Sequence, residues 1–270
     1  MSRSAPMFAE RIVCLTEETT ETLYLLGEER RIVGISGFTV RPPQARKEKP
    51  RVSAFTSAKI DKILELAPDL VLGFSDLQAQ IAAELISHGV AVHIFNQRSV
   101  AEILTMIRTL GGIVGAEHKA ASLVAGLESG LDGIRRSALA LQRRPLVYFE
   151  EWDSPPICGI HWVSELVELA GGIDCFREMA RRPLAKDRII ADAMEVPRRS
   201  PQMIFGSWCG KKFRPQLVAA RPGWDAVPAV RDGELHEIKA PIILQPGPAA
   251  LTEGVGALHA KIRAWALAHS

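Results

Sequence analysis

The chain has 270 residues, 47% of them apolar and 24% charged, with a formal net charge of +2 at pH 7. That length supports one large domain or two medium domains with real cores, and the near-neutral balance argues against a dedicated nucleic-acid binder. The four cysteines, Cys14, Cys158, Cys175 and Cys209, show neither CxxC nor metal-ligand spacing, so the thiols read as reduced and no zinc module is expected. No apolar run approaches the length of a membrane span, and the opening MSRSAPMFAERIV lacks the apolar core of a secretory signal. As written, the chain reads as cytoplasmic, or as periplasmic if a leader has been removed.

In chain order, Arg11–Leu15 is a β-branched run that predicts a strand, and TEETT at 16–20 supplies cap residues for a helix that Gly27 ends. Ile32–Ile35 predicts a second strand, closed by Ser36-Gly37-Phe38, and a turn-rich segment with Arg41-Pro42-Pro43 runs on to Pro50. Lys59–Leu66 has helical spacing, and Ala67-Pro68-Asp69 stops it and launches the strand Leu70–Leu72. A helix over Gln78–Ser87 and a strand over Val90–Phe95 complete an alternation that indicates a parallel α/β sheet. From Val100 to about Gln142 the apolar residues recur at helical spacing, which predicts one long helix bent around Gly111-Gly112.

After Arg143-Arg144-Pro145 the pattern restarts. Leu146–Glu150 predicts a strand, Glu151–Pro156 a loop, and Val163–Ala170 a helix ended by Gly171-Gly172. The strand Met203–Phe205 follows Pro201 as Leu70–Leu72 follows Pro68, and the two strand–loop–helix–Gly modules share a similar offset, a two-lobe pseudo-repeat. A strand near Glu234–Ile238 and a helix from Leu251 to about Ala266 close the chain. The expected domains are 1–98, an α/β lobe; 99–142, a connecting helix; and 143–270, a second α/β lobe.

Strand carboxyl ends in open parallel sheets face the ligand crevice. That rule nominates Thr16–Thr19, Phe38, Phe74–Asp76, Trp152, Ser207–Cys209 and Gln245. Phe38 and Phe74 fit core packing as well as ligand contact; Trp152, in a charged Pro-rich loop, and Trp208, beside glycines, lean towards contact. His161-Trp162 precedes a helix, where the imidazole either satisfies itself locally or serves as an axial or hydrogen-bonding ligand to a metal-centred molecule. Cys209 is a soft ligand if exposed and an inert filler if buried. No second His or carboxylate stands at metal spacing near either, so no dedicated metal site is expected. There is no G-x-S-x-G elbow, Walker loop or G-x-G-x-x-G, and adjacent Glu150 and Glu151 would point to opposite faces of a strand. Catalytic residues are therefore assigned to none, and a binding module is the expected class.

The stretches RIVCLTEETTETLYLLG, VGISGFTVRPPQA, KIDKILELAPDLVLG, HWVSELVELAGG, SWCGKKF, RPGWDAVPAVRDGELHEI and ILQPGPAALTEG carry a likeness over roughly residues 10–267. On them the chain resembles the vitamin B12-binding branch of the ABC-transporter substrate-binding proteins. That resemblance implies an α/β fold of two lobes with mainly parallel central sheets flanked by helices, joined by one long helix, with a ligand cleft between the lobes. It implies non-catalytic binding of cobalamin or a related corrinoid, as an ABC-type uptake component or a cytoplasmic carrier or sensor, with cobalamin a ligand rather than a catalytic cofactor. Phe55 takes the place of an aromatic that follows the PPQA turn and stacks near the corrin, with Phe38, Trp152 and Trp208 adding apolar surface; Arg41 stands where an aromatic usually precedes Pro-Pro. The carboxylates that dock on the permease fall at Asp61 and, since the matching second-lobe position is Met194, at nearby Asp192 and Glu195. A monomer with no nucleic-acid partner and no membrane insertion is implied. The alternatives are a binder of a ferric siderophore, haem or another chelate, and a chelatase that inserts metal into tetrapyrroles, for which only His161 is a candidate.

Overall fold

The computed structural model describes residues 7–270. The first six residues of the stretch read for a leader lie outside the described residues. The chain forms two units: one of residues up to Gln97 with Ala101–Gly126, the other of Arg98–Val100 with Leu127–Ser270.

The first unit is a five-stranded sheet of β1 (Ile12–Cys14), β2 (Ile32–Ser36), β3 (Arg51–Ser53), β4 (Leu70–Phe74) and β5 (Val92–Phe95), in the order β3-β2-β1-β4-β5. Every pairing is parallel. Helices Glu17–Leu25, Pro43–Glu48, Ile60–Glu65 and Ala79–Ser87 cross between the strands. Val13, Leu15, Val52, Ile63, Val71, Ile81 and Leu85 pack as one apolar cluster. Such parallel strands need both faces covered, which is why they read as continuous apolar runs. Strand order reverses at β1, so the carboxyl ends of β1 and β4 border the topological switch point. β3 falls just beyond the segment read as turns, because a three-residue strand carries no readable period.

The single helix expected over 100–142 is instead two, Val100–Ile113 and Glu117–Leu139. The break lies at Gly115 (φ +68°), where Ala116 N–H donates to Gly111 O at 2.7 Å and Gly115 N–H to Gly112 O at 3.3 Å, a left-handed helix stop. Gly111 is small for a different reason: a Cβ there would lie 2.3 Å from the Cβ of Ala120 on the next helix. Gly111 marks a close approach between successive helices, Gly112 faces open space, and the break comes later.

The second unit is built on β6 (Leu146–Asp153). β9 (Met203–Gly206) pairs with it in parallel, and β10 (Leu235–Glu237) extends the sheet beyond β9. The first residues of β6 pair in parallel with β8 (Ile173–Asp174), and its last residues pair antiparallel with β7 (Pro156–Cys158). The region expected to be a loop at 151–156 is thus a hairpin, and Trp152 is a strand residue opposite Ile157. Pro156 is tolerated because it opens β7, a terminal strand of its sheet. The core gathers Tyr148, Phe176, Ile204, Trp208, Phe213 and Trp224. A helix over His161–Leu169 and the closing helix Val255–Ala268, entered through a π-turn at Ala250–Gly254, complete the unit. Among the described residues no helix is long and apolar enough to cross a membrane.

Candidate functional site

In the first unit the candidate residues cluster where β1, β2, β3 and β4 end. β1 runs out at Leu15, and Thr16, in extended conformation, opens the helix Glu17–Leu25. The first turn of that helix is buried, acids included: Glu17 is 4% and Glu18 1% exposed. Thr16 Oγ1 donates to Glu18 Oε1 at 2.6 Å, and the Val40 N–H donates to Glu17 Oε2 at 2.6 Å. Glu17 Oε1 and Glu18 Oε2 have no hydrogen-bond partner. Burial, the larger cause, and repulsion from neighbouring carboxylates push both acids up to about 7. The stretch Thr16–Thr19 nominated from sequence contains both acids, but their burial is not expected from it, because acids in a first helical turn ordinarily read as solvated partners of the helix dipole.

The aromatics of this unit divide sharply. Phe38, after β2, is 63% exposed. Phe55, after β3, is half-buried, and its carbonyl accepts from Gln78 Nε2 at 2.8 Å. Phe74, the last residue of β4, is 5% exposed and belongs to the core. Phe38 and Phe55 therefore offer ring surface that Phe74 does not. Asp61 is exposed in the first turn of the helix Ile60–Glu65.

In the second unit Lys211, in the loop after β9, reaches the end of β6. Its ammonium lies 4.1 Å from the centroid of Trp152 and 5.1 Å from that of Trp208, and 2.5 Å from Asp153 Oδ1. Lys211 is thus an ion-paired cation laid on aromatic faces rather than a solvated charge. Trp152 is half-buried and donates from Nε1 to Ser154 O at 2.9 Å. Trp208 is 3% exposed, lies edge-on to Phe213, and donates from Nε1 to Glu150 Oε1 at 3.0 Å. Its ring is committed to the core, which leaves Trp152 as the ring of this pair open to contact.

Beneath them Glu150 is fully buried yet fully used. Arg221 reaches its two oxygens at 2.5 and 2.9 Å, and Tyr148 OH donates to Oε2 at 3.0 Å. Glu151 instead binds buried Arg188 at 2.6 Å. The two adjacent acids have separate arginines, at a point where the pairing of β6 with β7 shifts register between Glu150 and Trp152.

His161 is a third exposed and approaches Glu165 one turn on, Nε2 to Oε1 3.6 Å. Trp162 is 3% exposed with Nε1 donating to Ile243 O at 2.9 Å, so it serves the core. Gln245 is half-buried in the turn before the π-turn. Cys209 is exposed, and desolvation, followed by the Glu151 charge, raises its thiol pKa. Asp192 and Glu195 share Arg198 at 2.6 and 2.8 Å, and Glu195 also binds Arg199 at 2.9 Å. Among the described residues no cluster of three or more His, Cys, Asp or Glu could hold a metal.

A profile of the periplasmic binding protein family matches residues 12–242. The vitamin B12-binding protein of Vibrio cholerae serotype O1 is 26% identical over 254 residues, covering 91% of this chain and 87% of the relative. The crystal structure of the periplasmic vitamin B12-binding protein of Vibrio cholerae superposes with a TM-score of 0.75 at 23% identity, covering 95% of this chain and 97% of the other. The periplasmic haem-binding protein of Roseiflexus sp. RS-1 superposes with a TM-score of 0.79 at 22% identity, covering 94% and 99%. At these identities the two structural likenesses establish the fold and leave the ligand to be argued from residues.

Proposed function

We propose that this chain, which belongs to the periplasmic binding protein family, holds cobalamin or a related corrinoid without chemically changing it, as the solute-binding component of an ABC-type uptake system. The observation that carries the ligand class is the 26% identity, over nearly the whole chain, to a vitamin B12-binding protein. The geometry supports it: Phe38, Phe55 and Trp152 keep ring surface available at strand carboxyl ends. A corrin presents a broad apolar rim, and flat rings supply contact area at low conformational cost. The adjacent acids that could suggest hydrolysis, Glu150 and Glu151, are each spent on an arginine. Holding is the chemistry these residues support.

The second reading is haem or another metal chelate, favoured by the fit of a haem binder's fold, with a TM-score of 0.79 against 0.75 for the B12 binder. His161, a third exposed, and exposed Cys209 are side chains suited to approach a chelated metal, as axial nitrogen and soft sulfur ligands. For docking on a permease, exposed Asp61 offers a carboxylate in the first unit, whereas Asp192 and Glu195 must exchange Arg198 and Arg199 for the partner's cations. Equilibrium dialysis with cyanocobalamin, in the presence and absence of excess haemin, tests the ligand. Retention that haemin does not displace supports the corrinoid; retention of haemin alone replaces it with the second reading.

A further inference from the structure

We propose that Gln78 is the positioning residue of the first unit's binding face, the side chain that fixes the Phe55 loop against the switch point. This inference rests on the reading of Phe55 as a ligand contact. The loop after β4 turns sharply: Ser75 takes φ +67°, its N–H donates to Phe95 O at 2.7 Å, and the Gln78 N–H returns to Ser75 O at 3.2 Å. That turn sends the Gln78 side chain back across the strand it has just left. There it is wholly buried.

Each polar atom of the amide then meets a different segment. Oε1 accepts from the Phe74 N–H at 2.9 Å, at the end of β4. Nε2 donates to Phe55 O at 2.8 Å, in the loop after β3, and to Leu15 O at 3.5 Å, at the end of β1. One amide, with two donor hydrogens and an acceptor oxygen, thus ties three strand-end segments, at Leu15, Phe55 and Phe74, that are 19 to 59 positions apart in sequence order. Gly73 makes the room. A Cβ at that position would lie 2.6 Å from Gln78 Oε1 and 2.6 Å from Ile94 Cδ1. Gly73 and Gln78 are therefore one device, a glycine vacated so that an amide can lie over the strand.

The consequence concerns Phe55 more than the core. The Phe55 loop is held otherwise by its own short-range bonds, Ala54 N–H to Ser57 O at 2.7 Å and Lys59 N–H to Val52 O at 2.9 Å. These close the loop on itself, and the Gln78 bond ties it to the ends of β1 and β4. A side chain of similar length without donors should leave the strands formed and the Phe55 loop freer to open.

The test uses Gln78→Met and Gln78→Glu in the full chain, with two readouts. Hydrogen exchange of the Ala54 and Lys59 amides needs no ligand: Gln78→Met is expected to speed it about tenfold with the far-ultraviolet spectrum unchanged, a buried hydrogen bond being worth roughly that factor. Exchange as slow as in the wild type overturns the proposal. Cyanocobalamin titration supplies the second: Gln78→Met should weaken binding about tenfold, and the loss should vanish in a Phe55→Ala background, since the two changes act through one contact. An equal loss with and without Phe55 assigns Gln78 a merely structural role and also overturns the proposal. Gln78→Glu, measured relative to wild type at each pH, should recover at pH 5, where a protonated carboxyl can again donate to Phe55 O, and not at pH 8. Should the wild type bind no cyanocobalamin, the corrinoid reading fails by itself, and the exchange rates still decide whether Gln78 moors the loop.

Discussion

The buried acid pair makes stability depend on pH in a direction that can be worked out from the structure. Glu17 and Glu18 stand 4% and 1% exposed, each with one carboxyl oxygen lacking a partner. Burial first, and neighbouring carboxylates second, raise both from the ordinary 4.5 to about 7. A folded-state pKa above the unfolded value means the native state binds the extra proton. The stability this contributes is fully present below pH 4.5 and is lost as pH rises through 7. Between pH 5 and pH 8 each acid should cost about 2–3 kcal/mol, at about 1.4 kcal/mol per pH unit across the window where the two states differ in protonation. Urea unfolding of the wild type and of Glu17→Gln/Glu18→Gln at pH 5 and pH 8 reads this out. Other groups titrate in the same range, so the comparison is the difference of differences: the wild type should lose several kcal/mol more than the variant. An equal loss in both proteins would falsify the assignment of buried, proton-holding acids at the end of β1.

Three further outcomes follow from named contacts. Arg221→Met should destabilise the protein by about 3–5 kcal/mol by leaving Glu150 buried without its cation. Adding Glu150→Gln should return much of that loss in the same urea assay, and no recovery would mean Arg221 acts through packing on Trp224 instead. A thiol reagent at pH 8 should consume one equivalent quickly, at exposed Cys209, while Cys14, Cys158 and Cys175, pushed up to about 12 by burial, react only with unfolding. Two or more fast equivalents would contradict that burial. Lys211→Ala should raise the exposure of Trp152 and shift its fluorescence to the red, since the ammonium covers the ring at 4.1 Å; an unshifted spectrum would mean the contact is not populated in solution.

The alternation of elements was readable because the parallel strands of the first sheet are covered on both faces and show as apolar runs punctuated by Gly and Pro. β1, β2, β4, β6 and β9 all fall where their runs predict. β3, β7 and β8 escaped notice because two or three residues hold no period, and their pairing is set by partners far along the chain. Gly111-Gly112 was read as a bend because glycine weakens a helix, but the site of the break is decided by Gly115, whose positive φ is a backbone property that composition does not reveal. For the site, residue type and position at a strand end were legible; direction was not. Trp208 and Phe74 sit where the strand-end rule puts ligand contacts, yet both rings turn inwards, while Phe38 turns out. Gln78 was read only as the start of a helix, since its partners Leu15 and Phe55 lie far back in sequence.

Calorimetric titration of the purified chain with cyanocobalamin tests the central claim most directly. A saturable isotherm with one corrinoid per chain is expected, weakened about tenfold or more by Trp152→Ala and by Phe55→Ala, each of which removes ring contact without touching the core. No saturable heat, or an affinity indifferent to both rings, would contradict it.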